Sequence, residues 1–205
     1  MPKTILVTGG AGFIGSNFVK YIFENYSDYQ IIVLDTLTYA GNIENIAENI
    51  KKDSRFSFWY GNIRNGRLVN ELISKADTVV HFAAESHVSR SIFNDTTFFE
   101  TDVLGTQVIA NAIVNHLDTI ERFIHISTSE VYGTALETPM TEEHPLIPQA
   151  LMLVLRLVLI GWFILIGLHM AYQRLLLDRS IIMALINIWK RLFHDLSPVL
   201  CLMNR

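Results

Sequence analysis

Three glycines, Gly9, Gly12 and Gly15, stand at three-residue spacing between a short apolar run and an amphipathic stretch. Glycines between a strand and a helix let backbone N–H groups and the helix N-terminus approach phosphate groups. Gly9 would permit the tight turn, Gly12 the close approach of a pyrophosphate, and Gly15 the packing of helix against strand. The spacing is GxxGxxG rather than the GxGxxG of most dehydrogenases, and a purely structural glycine turn is the alternative. Because the flanking strand and helix both fit, the pattern predicts dinucleotide binding.

Asp35 is the second candidate for this chemistry. It ends the apolar run 30–34, about 20 residues after the glycines, where an acidic side chain hydrogen-bonds the adenosine ribose 2′-hydroxyl. A carboxylate there repels a 2′-phosphate, so NAD is favoured over NADP. The alternative is that Asp35 only caps the end of its strand.

Five apolar runs alternate with helical patterns, which predicts an α/β fold with a doubly wound parallel sheet. The predicted strands are 5–7, 30–34, 56–60, 78–82 and 122–127, and the predicted helices are 16–26, 43–50, 68–74 and 95–116. Ligands of such sheets bind beyond the carboxyl ends of the strands. Polar clusters follow four of the strands, at Asp35, Asn62, Glu85-Ser86-His87 and Thr128-Ser129-Glu130.

The two clusters later in the chain are candidates for substrate contacts. Glu85, Ser86 and His87 either touch a substrate or form a solvated loop. Thr128 and Glu130 offer a hydroxyl and a carboxylate that could contact a sugar and move its protons, the alternative being a helix cap. His125, inside a predicted strand, is expected to be packed or hydrogen-bonded rather than catalytic.

Charge and cysteine content exclude several functions. The net charge of −4 and the pI near 5.9 argue against nucleic-acid binding. The single cysteine, Cys201, excludes a disulfide framework and gives no zinc spacing, so no metal site is expected. The N-terminus does not read as a signal peptide, and a cytoplasmic location is the expectation.

Four segments together resemble an extended short-chain dehydrogenase/reductase, most closely the nucleotide-sugar 4,6-dehydratases of the dTDP-glucose type. They are the glycine turn at 9–15, Leu-Thr-Tyr-Ala-Gly-Asn at 37–42, His-Phe-Ala-Ala-Glu-Ser-His-Val at 81–88 and Ser-Thr-Ser-Glu-Val-Tyr-Gly at 127–133. The resemblance covers residues 1–149 and implies a Rossmann domain that binds NAD and a nucleotide-sugar. It also implies a homodimer formed through the 95–116 helix.

The resemblance implies internal redox chemistry: NAD takes a hydride from sugar C4, a base removes the C5 proton, water leaves C6, and the hydride returns to C6. Ser86 and Thr128 would touch the sugar, beside Glu85 and His87, and Glu130 would be the base at C5. The cofactor positions carried over are Gly9, Gly12, Phe13, Ile14, Gly15, Asp35, Thr38, Asn62, Ile63, Phe82, Ala83, Ala84 and Thr101.

The chain departs from the family pattern at the catalytic positions. Ser129 stands where the dehydratases usually have the aspartic acid that protonates the leaving hydroxyl, and the same motif occurs in relatives that epimerise or decarboxylate nucleotide-sugars. The family also needs a Tyr-x-x-x-Lys pair on one helix face, in which lysine lowers the pKa of the tyrosine. No tyrosine of this chain has a lysine four residues on. We therefore expect this chain to be inactive in turnover.

The composition changes at residue 150, and residues 157–168 are all apolar or glycine. One interpretation is a membrane helix over 150–168, interrupted by Arg156, which would make the chain a non-enzymatic, membrane-anchored NAD-binding module. The other is a slipped reading frame, in which the apolar run is a by-product of reading codons out of frame and not a selected membrane segment.

Part of the neighbouring reading frame can be deduced from the protein sequence, because each of its codons joins the last base of one codon to the first two bases of the next. It forces valine from Trp162-Phe163, glycine from Met170-Ala171 and from Met183-Ala184, and glutamate from Trp189-Lys190. Free third bases allow Ser-Pro-Tyr-Ala-Ser-Ala-Lys from residue 149 onward, which contains the missing pair. We therefore expect residues 150–205 to be an out-of-frame tail that supplies neither a substrate domain nor a sixth strand.

Overall fold

The computed structural model describes residues 3–86, 95–128, 132–136, 144, 145 and 147, and the backbone of 182–184. Its centre is a parallel sheet of order β3-β2-β1-β4-β5-β6. The strand order reverses between the neighbouring strands β1 and β4, which leaves a crevice at the carboxyl ends of these two strands. The strands are β1 (Thr4–Thr8), β2 (Gln30–Asp35), β3 (Phe56–Tyr60), β4 (Thr78–His81), β5 (Arg122–Ile126) and β6 (Ile182–Ala184).

Helices connect the first five strands, as the alternating pattern predicts. They are α1 (Phe13–Asn25), α2 (Glu48–Lys51), α3 (Gly66–Ile73), α4 (Asp95–Phe98) and α5 (Thr106–Asn115). The helix predicted over 43–50 is split into a 3-10 turn, Ile43–Asn45, and α2. The helix predicted over 95–116 is interrupted by a π-helical segment, Phe99–Gly105.

Side chains of the central strands are buried on both faces of the sheet, which is why these strands read as unbroken apolar runs. On one face Leu6, Leu34 and Val79 pack with α3 and α5. On the other face Val7 and Val33 pack with α1. The core therefore fixes the five N-terminal strands and leaves their carboxyl ends free to carry polar loops.

The expectation that the tail supplies no sixth strand is wrong for three residues. Ile182–Ala184 lies parallel to β5, with Ile124 opposite Ile182 and Ile126 opposite Ala184. The edge of β5 presents backbone N–H and C=O groups, which accept extended backbone of almost any sequence. Strand pairing at this edge therefore needs no family side chains.

Within the part of the chain that the structure describes, no helix is long and apolar enough to cross a membrane. The apolar stretch 150–168, on which the membrane interpretation depends, lies outside the described residues.

Candidate functional site

The turn after β1 is closed by contacts that only glycine allows. Gly9 has a φ of +70°, and a Cβ there would lie 2.6 Å from the backbone nitrogen of Ala83. A Cβ on Gly15 would lie 2.3 Å from the carbonyl oxygen of Gly9. A Cβ on Gly12 would meet nothing closer than 3.3 Å. The first and third glycines thus hold β1, β4 and α1 together, whereas the Cβ position of the second is the least crowded of the three.

Helix α1 begins directly in this turn, at Phe13, three residues earlier than the sequence predicts. Its N-cap is Gly12, and within the described residues no side chain caps this terminus and no acidic residue occupies the first turn. Helix N-termini leave N–H groups unpaired and carry a partial positive charge. Phe13, Ile14 and Gly15 therefore offer backbone donors to an anion beside Gly12.

Asp35, at the end of β2, joins the turn after β1 to the loop after β2. Its buried carboxylate accepts the N–H of Ala11 through Oδ2 at 2.9 Å and the N–H of Leu37 through Oδ1 at 2.8 Å. The capping role, which the sequence left as an alternative, is thus present. Each carboxylate oxygen has a second lone pair, so the same group can also accept hydrogen bonds from a ribose.

The loop after Asp35 folds back onto the glycine turn. The N–H of Asn42 donates to the carbonyl of Ala11 at 3.0 Å, and the side-chain amide of Asn45 donates to the same oxygen at 2.8 Å. Thr38 is exposed on this loop, where its hydroxyl is accessible to a ligand. No sequence pattern singles out Asn45, since its acceptor lies 34 residues away.

The loop after β3 is held against the π-helical segment. Asn62 accepts the N–H of Arg64 at 2.9 Å, and Ile63 is buried where a Cβ on Gly105 would lie only 2.5 Å from its Cδ1. Arg64 also pairs with Glu100. The adjacent Thr101 is half-buried on the π-helical segment. Asn62, Ile63 and Thr101 therefore belong to two segments that contact each other.

A buried histidine joins three segments below these loops. His81 accepts or donates at both ring nitrogens, with Nδ1 at 2.6 Å from the Thr8 hydroxyl and Nε2 at 3.0 Å from the Thr106 hydroxyl. The ring of His125 lies 5.2 Å from that of His81, centroid to centroid, and is buried. His125 is thus a packed histidine, as expected, whereas the sequence analysis missed His81 and Thr106.

The segment after β4 carries Phe82, Ala83 and Ala84, all half-buried, followed by Glu85. Glu85 is buried, which differs from the solvated loop that was its alternative, and its N–H donates to Asp102 Oδ1 at 2.7 Å. The backbone of Ala83 lies against Gly9, where a Cβ would be 2.6 Å from the Ala83 nitrogen.

The structure describes some of the candidate substrate-binding and catalytic residues but not all of them. Ser86 is exposed beside Glu85, and Thr128 is half-buried directly after β5. His87, Ser129 and Glu130 lie outside the described residues, so their roles stay predictions.

A doubly wound parallel sheet with a glycine turn, an uncapped helix N-terminus and an acidic residue after β2 defines a dinucleotide-binding domain of the Rossmann type. Residues 6–151 match the family described as GDP-mannose 4,6 dehydratase. The chain belongs to this family, and the resemblance to nucleotide-sugar dehydratases is confirmed.

Proteins of known name show the same relationship. The chain is 48% identical over 145 residues to the low-salt glycan biosynthesis protein Agl12 of Haloferax volcanii, covering 71% of this chain and 46% of the relative. It is 44% identical over 151 residues to a dTDP-glucose 4,6-dehydratase of an Actinoplanes species, covering 71% of this chain and 46% of the relative. The chain thus spans about half the length of the curated relatives it matches.

Solved structures agree. The dTDP-glucose 4,6-dehydratase DesIV of Streptomyces venezuelae, solved with NAD bound, superposes with a TM-score of 0.69 at 43% identity, over 75% of this chain and 48% of that one. The UDP-glucose 4-epimerase of Thermus thermophilus, also in complex with NAD, gives a TM-score of 0.70 at 26% identity, over 81% of this chain and 51% of that one.

Proposed function

We propose that residues 1–149 are the NAD-binding part of a nucleotide-sugar 4,6-dehydratase of the dTDP-glucose type. The observation that carries the proposal is the arrangement around Ala11. Helix α1 starts at its N-cap Gly12, which no side chain of the described residues caps, and the preceding residue, Ala11, donates its N–H to the Asp35 carboxylate. A pyrophosphate fits the first feature and a ribose the second.

Each group at the crevice has a distinct task in this proposal. The first-turn N–H groups of α1 hold the pyrophosphate, and Asp35 accepts from the adenosine ribose and repels a 2′-phosphate. Thr38, Asn62, Ile63 and Thr101 line the adenosine side, and Phe82, Ala83 and Ala84 face the rest of the dinucleotide. When bound, NAD supplies a reversible hydride acceptor for the sugar carbon.

The substrate side is assigned to the loops after β4 and β5. Ser86 and Thr128 contact the sugar, with Glu85 and His87 in the same loop as Ser86. Glu130 removes the C5 proton, because a carboxylate is the group of this motif that can act as a base at neutral pH. Ser129 stands at the position of the acid that protonates the leaving hydroxyl.

An epimerase or a decarboxylase of the same family is the second candidate, and Ser129 is the observation that favours it. Against it, the identity is 44% to the Actinoplanes dehydratase and 26% to the Thermus epimerase. Product analysis on a frame-restored protein, with dTDP-glucose and separately with a nucleotide-linked uronic acid, decides between them. A 4-keto-6-deoxy product supports the dehydratase, whereas recovery of a C4 epimer or release of carbon dioxide from a uronic-acid substrate supports the alternative.

We further propose that residues 150–205 are read out of frame and that the 205-residue chain does not turn over substrate. The family match ends at residue 151, beside the change in composition. Resequencing codons 145–190 from the source DNA tests the frame: the proposal requires a neighbouring frame that encodes Tyr-x-x-x-Lys there. Absence of that frame, or robust turnover by the purified chain, contradicts it.

Cofactor binding is tested on the 205-residue chain itself, by titration with NAD and NADP followed by calorimetry. We expect binding of NAD and weaker binding of NADP, because Asp35 repels the extra phosphate. Equal affinity for the two, or none for NAD, refutes the cofactor assignment.

Cytoplasmic location and homodimerisation through the 95–116 helix are part of the same proposal. Fractionation separates it from the membrane-anchored module: recovery of the chain only with detergent favours the anchor, and recovery in the soluble fraction favours the enzyme. Light scattering of the soluble fraction then gives the oligomeric state.

A further inference from the structure

Leu37 has a backbone conformation that its side chain disfavours. Its φ is +50°, and it is the one non-glycine residue with positive φ in the part of the chain that the structure describes. The left-handed region brings Cβ close to the backbone carbonyl oxygen. Residues other than glycine, asparagine and aspartate therefore rarely adopt it, and bulky residues least of all. An isolated outlier of this kind is a marker of ligand clamps and other functional loops.

Two neighbours hold Leu37 in this conformation. Its N–H donates to Asp35 Oδ1 at 2.8 Å, which ties the residue back to the end of β2. On the far side, a Cβ on Gly41 would lie 3.2 Å from Leu37 Cα and 2.8 Å from Asp35 Oδ1. The turn from Thr38 to Gly41 is closed by a backbone hydrogen bond of 3.1 Å. The loop is thus wound tightly around the Asp35 carboxylate.

The same loop completes a ring of hydrogen bonds with the glycine turn. Ala11 donates its N–H to Asp35 Oδ2 at 2.9 Å, and its carbonyl accepts the N–H of Asn42 at 3.0 Å. Asp35 accepts from Leu37, and the chain runs from there to Asn42. Leu37 is the residue with positive φ in the segment that joins these bonds, so the ring depends on its left-handed conformation.

We propose that Leu37 is a positioning residue for the adenosine half of the dinucleotide. This rests on the proposed NAD-binding function. Its left-handed backbone aims Thr38 and the Asp35 carboxylate at one side of the crevice and locks both to the turn that receives the pyrophosphate. The fold gives up some stability for this geometry, since glycine would adopt the same conformation without strain.

The test replaces Leu37 by a series graded in tolerance of positive φ: Leu37→Gly, Leu37→Asn, Leu37→Ala and Leu37→Val. Gly and Ala form the matched pair, because both remove the apolar side chain and differ mainly in backbone freedom. Val keeps an apolar side chain of similar size but is β-branched, which makes positive φ least favourable. Two quantities are measured on the full chain: the denaturation midpoint without cofactor, and the dissociation constants of NAD and ADP-ribose.

We expect the midpoint without cofactor to be higher for Leu37→Gly than for Leu37→Ala. At an ordinary loop position the order is reversed, because glycine gains more entropy on unfolding. We expect NAD and ADP-ribose affinities to follow the same order, Gly and Asn ahead of Ala and Ala ahead of Val. The span between Gly and Val should be about fivefold or more, since the left-handed region costs a substituted residue of the order of a tenfold population change. The two ligands should respond alike, because both carry the adenosine half.

Affinities that follow side-chain size, or that are equal across the series, overturn the proposal. Should Leu37→Val fail to fold, the order of Gly, Asn and Ala carries the same decision. If neither the unchanged chain nor any variant binds NAD, the proposed function fails and the positioning role of Leu37 fails with it. If the unchanged chain binds NAD but the midpoint order is Ala above Gly, the function stands and the role of Leu37 is wrong.

Discussion

Replacing Asp35 by alanine tests whether one carboxylate assembles the cofactor crevice. The change removes both acceptors of Asp35 and leaves the N–H groups of Ala11 and Leu37 without partners. Leaving a buried donor unsatisfied costs about 1–3 kcal/mol. The Ala11 bond is buried and should cost the upper part of that range, whereas the Leu37 bond is part-buried and water can reach its donor. We therefore expect a loss of about 2–4 kcal/mol, a large share of the roughly 5–15 kcal/mol that stabilise a typical domain.

Asp53→Ala is the matched control. Asp53 accepts the N–H of Arg55, two residues on, at 2.8 Å, just as Asp35 accepts that of Leu37. Its second contact, with Arg55 Nε at 3.3 Å, is only part-buried, so water can replace both bonds and the loss of stability should be much smaller than for Asp35→Ala. Urea denaturation followed by far-ultraviolet circular dichroism measures both variants, with an unchanged m-value as the check that the unfolding transition is the same. A cost for Asp35→Ala within 0.5 kcal/mol of the control refutes the reasoning.

Four further substitutions probe other contacts. Gly15→Ala places a Cβ 2.3 Å from a backbone oxygen and should cost about 1–3 kcal/mol, whereas in Gly66→Ala the nearest atom is 3.8 Å away and the chain should gain up to about 1 kcal/mol; chemical denaturation measures both. His81→Leu strips two buried threonine hydroxyls of their partner and should cost about 2 kcal/mol or more by the same measurement. The backbone N–H of Arg55, chiefly, lowers the pKa of Asp53 below its ordinary value of 3.8. The contribution of the Asp53 carboxylate to folding stability is therefore complete above pH 3.8 and is lost as the pH falls through the lowered pKa. Asp53→Asn should accordingly reduce the loss of stability at acid pH, as measured by denaturation across a pH series.

The sequence predicts the sheet well because its strands are buried on both faces. An apolar run such as 30–34 has few alternatives when glycines and polar loops bound it, and all five predicted strands are present. Of the predicted polar clusters, Asp35, Asn62, Glu85 and Thr128 lie at or just after the ends of their strands, since parallel strands bring their carboxyl ends to one edge whatever the helices do.

Hydrogen-bond partners distant in sequence account for what could not be predicted. The His81 ring bonds to Thr8, 73 residues away, and no spacing rule marks such a pair. Asn45 and Ala11 meet only because the loop after β2 folds back. The left-handed Leu37 belongs to the same group, because propensity predicts against it and only the surrounding bonds impose it. The sixth strand was missed because its pairing depends on backbone groups and not on side-chain pattern.

The bonds that assemble the crevice all join residues between Thr8 and Thr106. They link the turn after β1 to the loop after β2 through Asp35, and β1 to the π-helical region through His81. The proposed catalytic groups, Thr128, Ser129 and Glu130, instead follow β5 in the chain, and the proposed Tyr-x-x-x-Lys pair would lie beyond them. We therefore expect the residues before about position 128 to suffice for cofactor binding, and turnover to require residues after it.

Restoring the reading frame after residue 149 tests this separation. We expect the restored protein to turn over a nucleotide-sugar that the 205-residue chain leaves unchanged, with the dissociation constant for NAD within about threefold of that of the shorter chain. The physical reason is that the residues proposed to contact the adenosine and the pyrophosphate are already joined by hydrogen bonds in the described fold. NAD binding that appears only after restoration would mean that the crevice is not assembled by these bonds. In that case the hydrogen bonds of Asp35 and His81 would form only after the cofactor binds, and would not hold the crevice in shape beforehand.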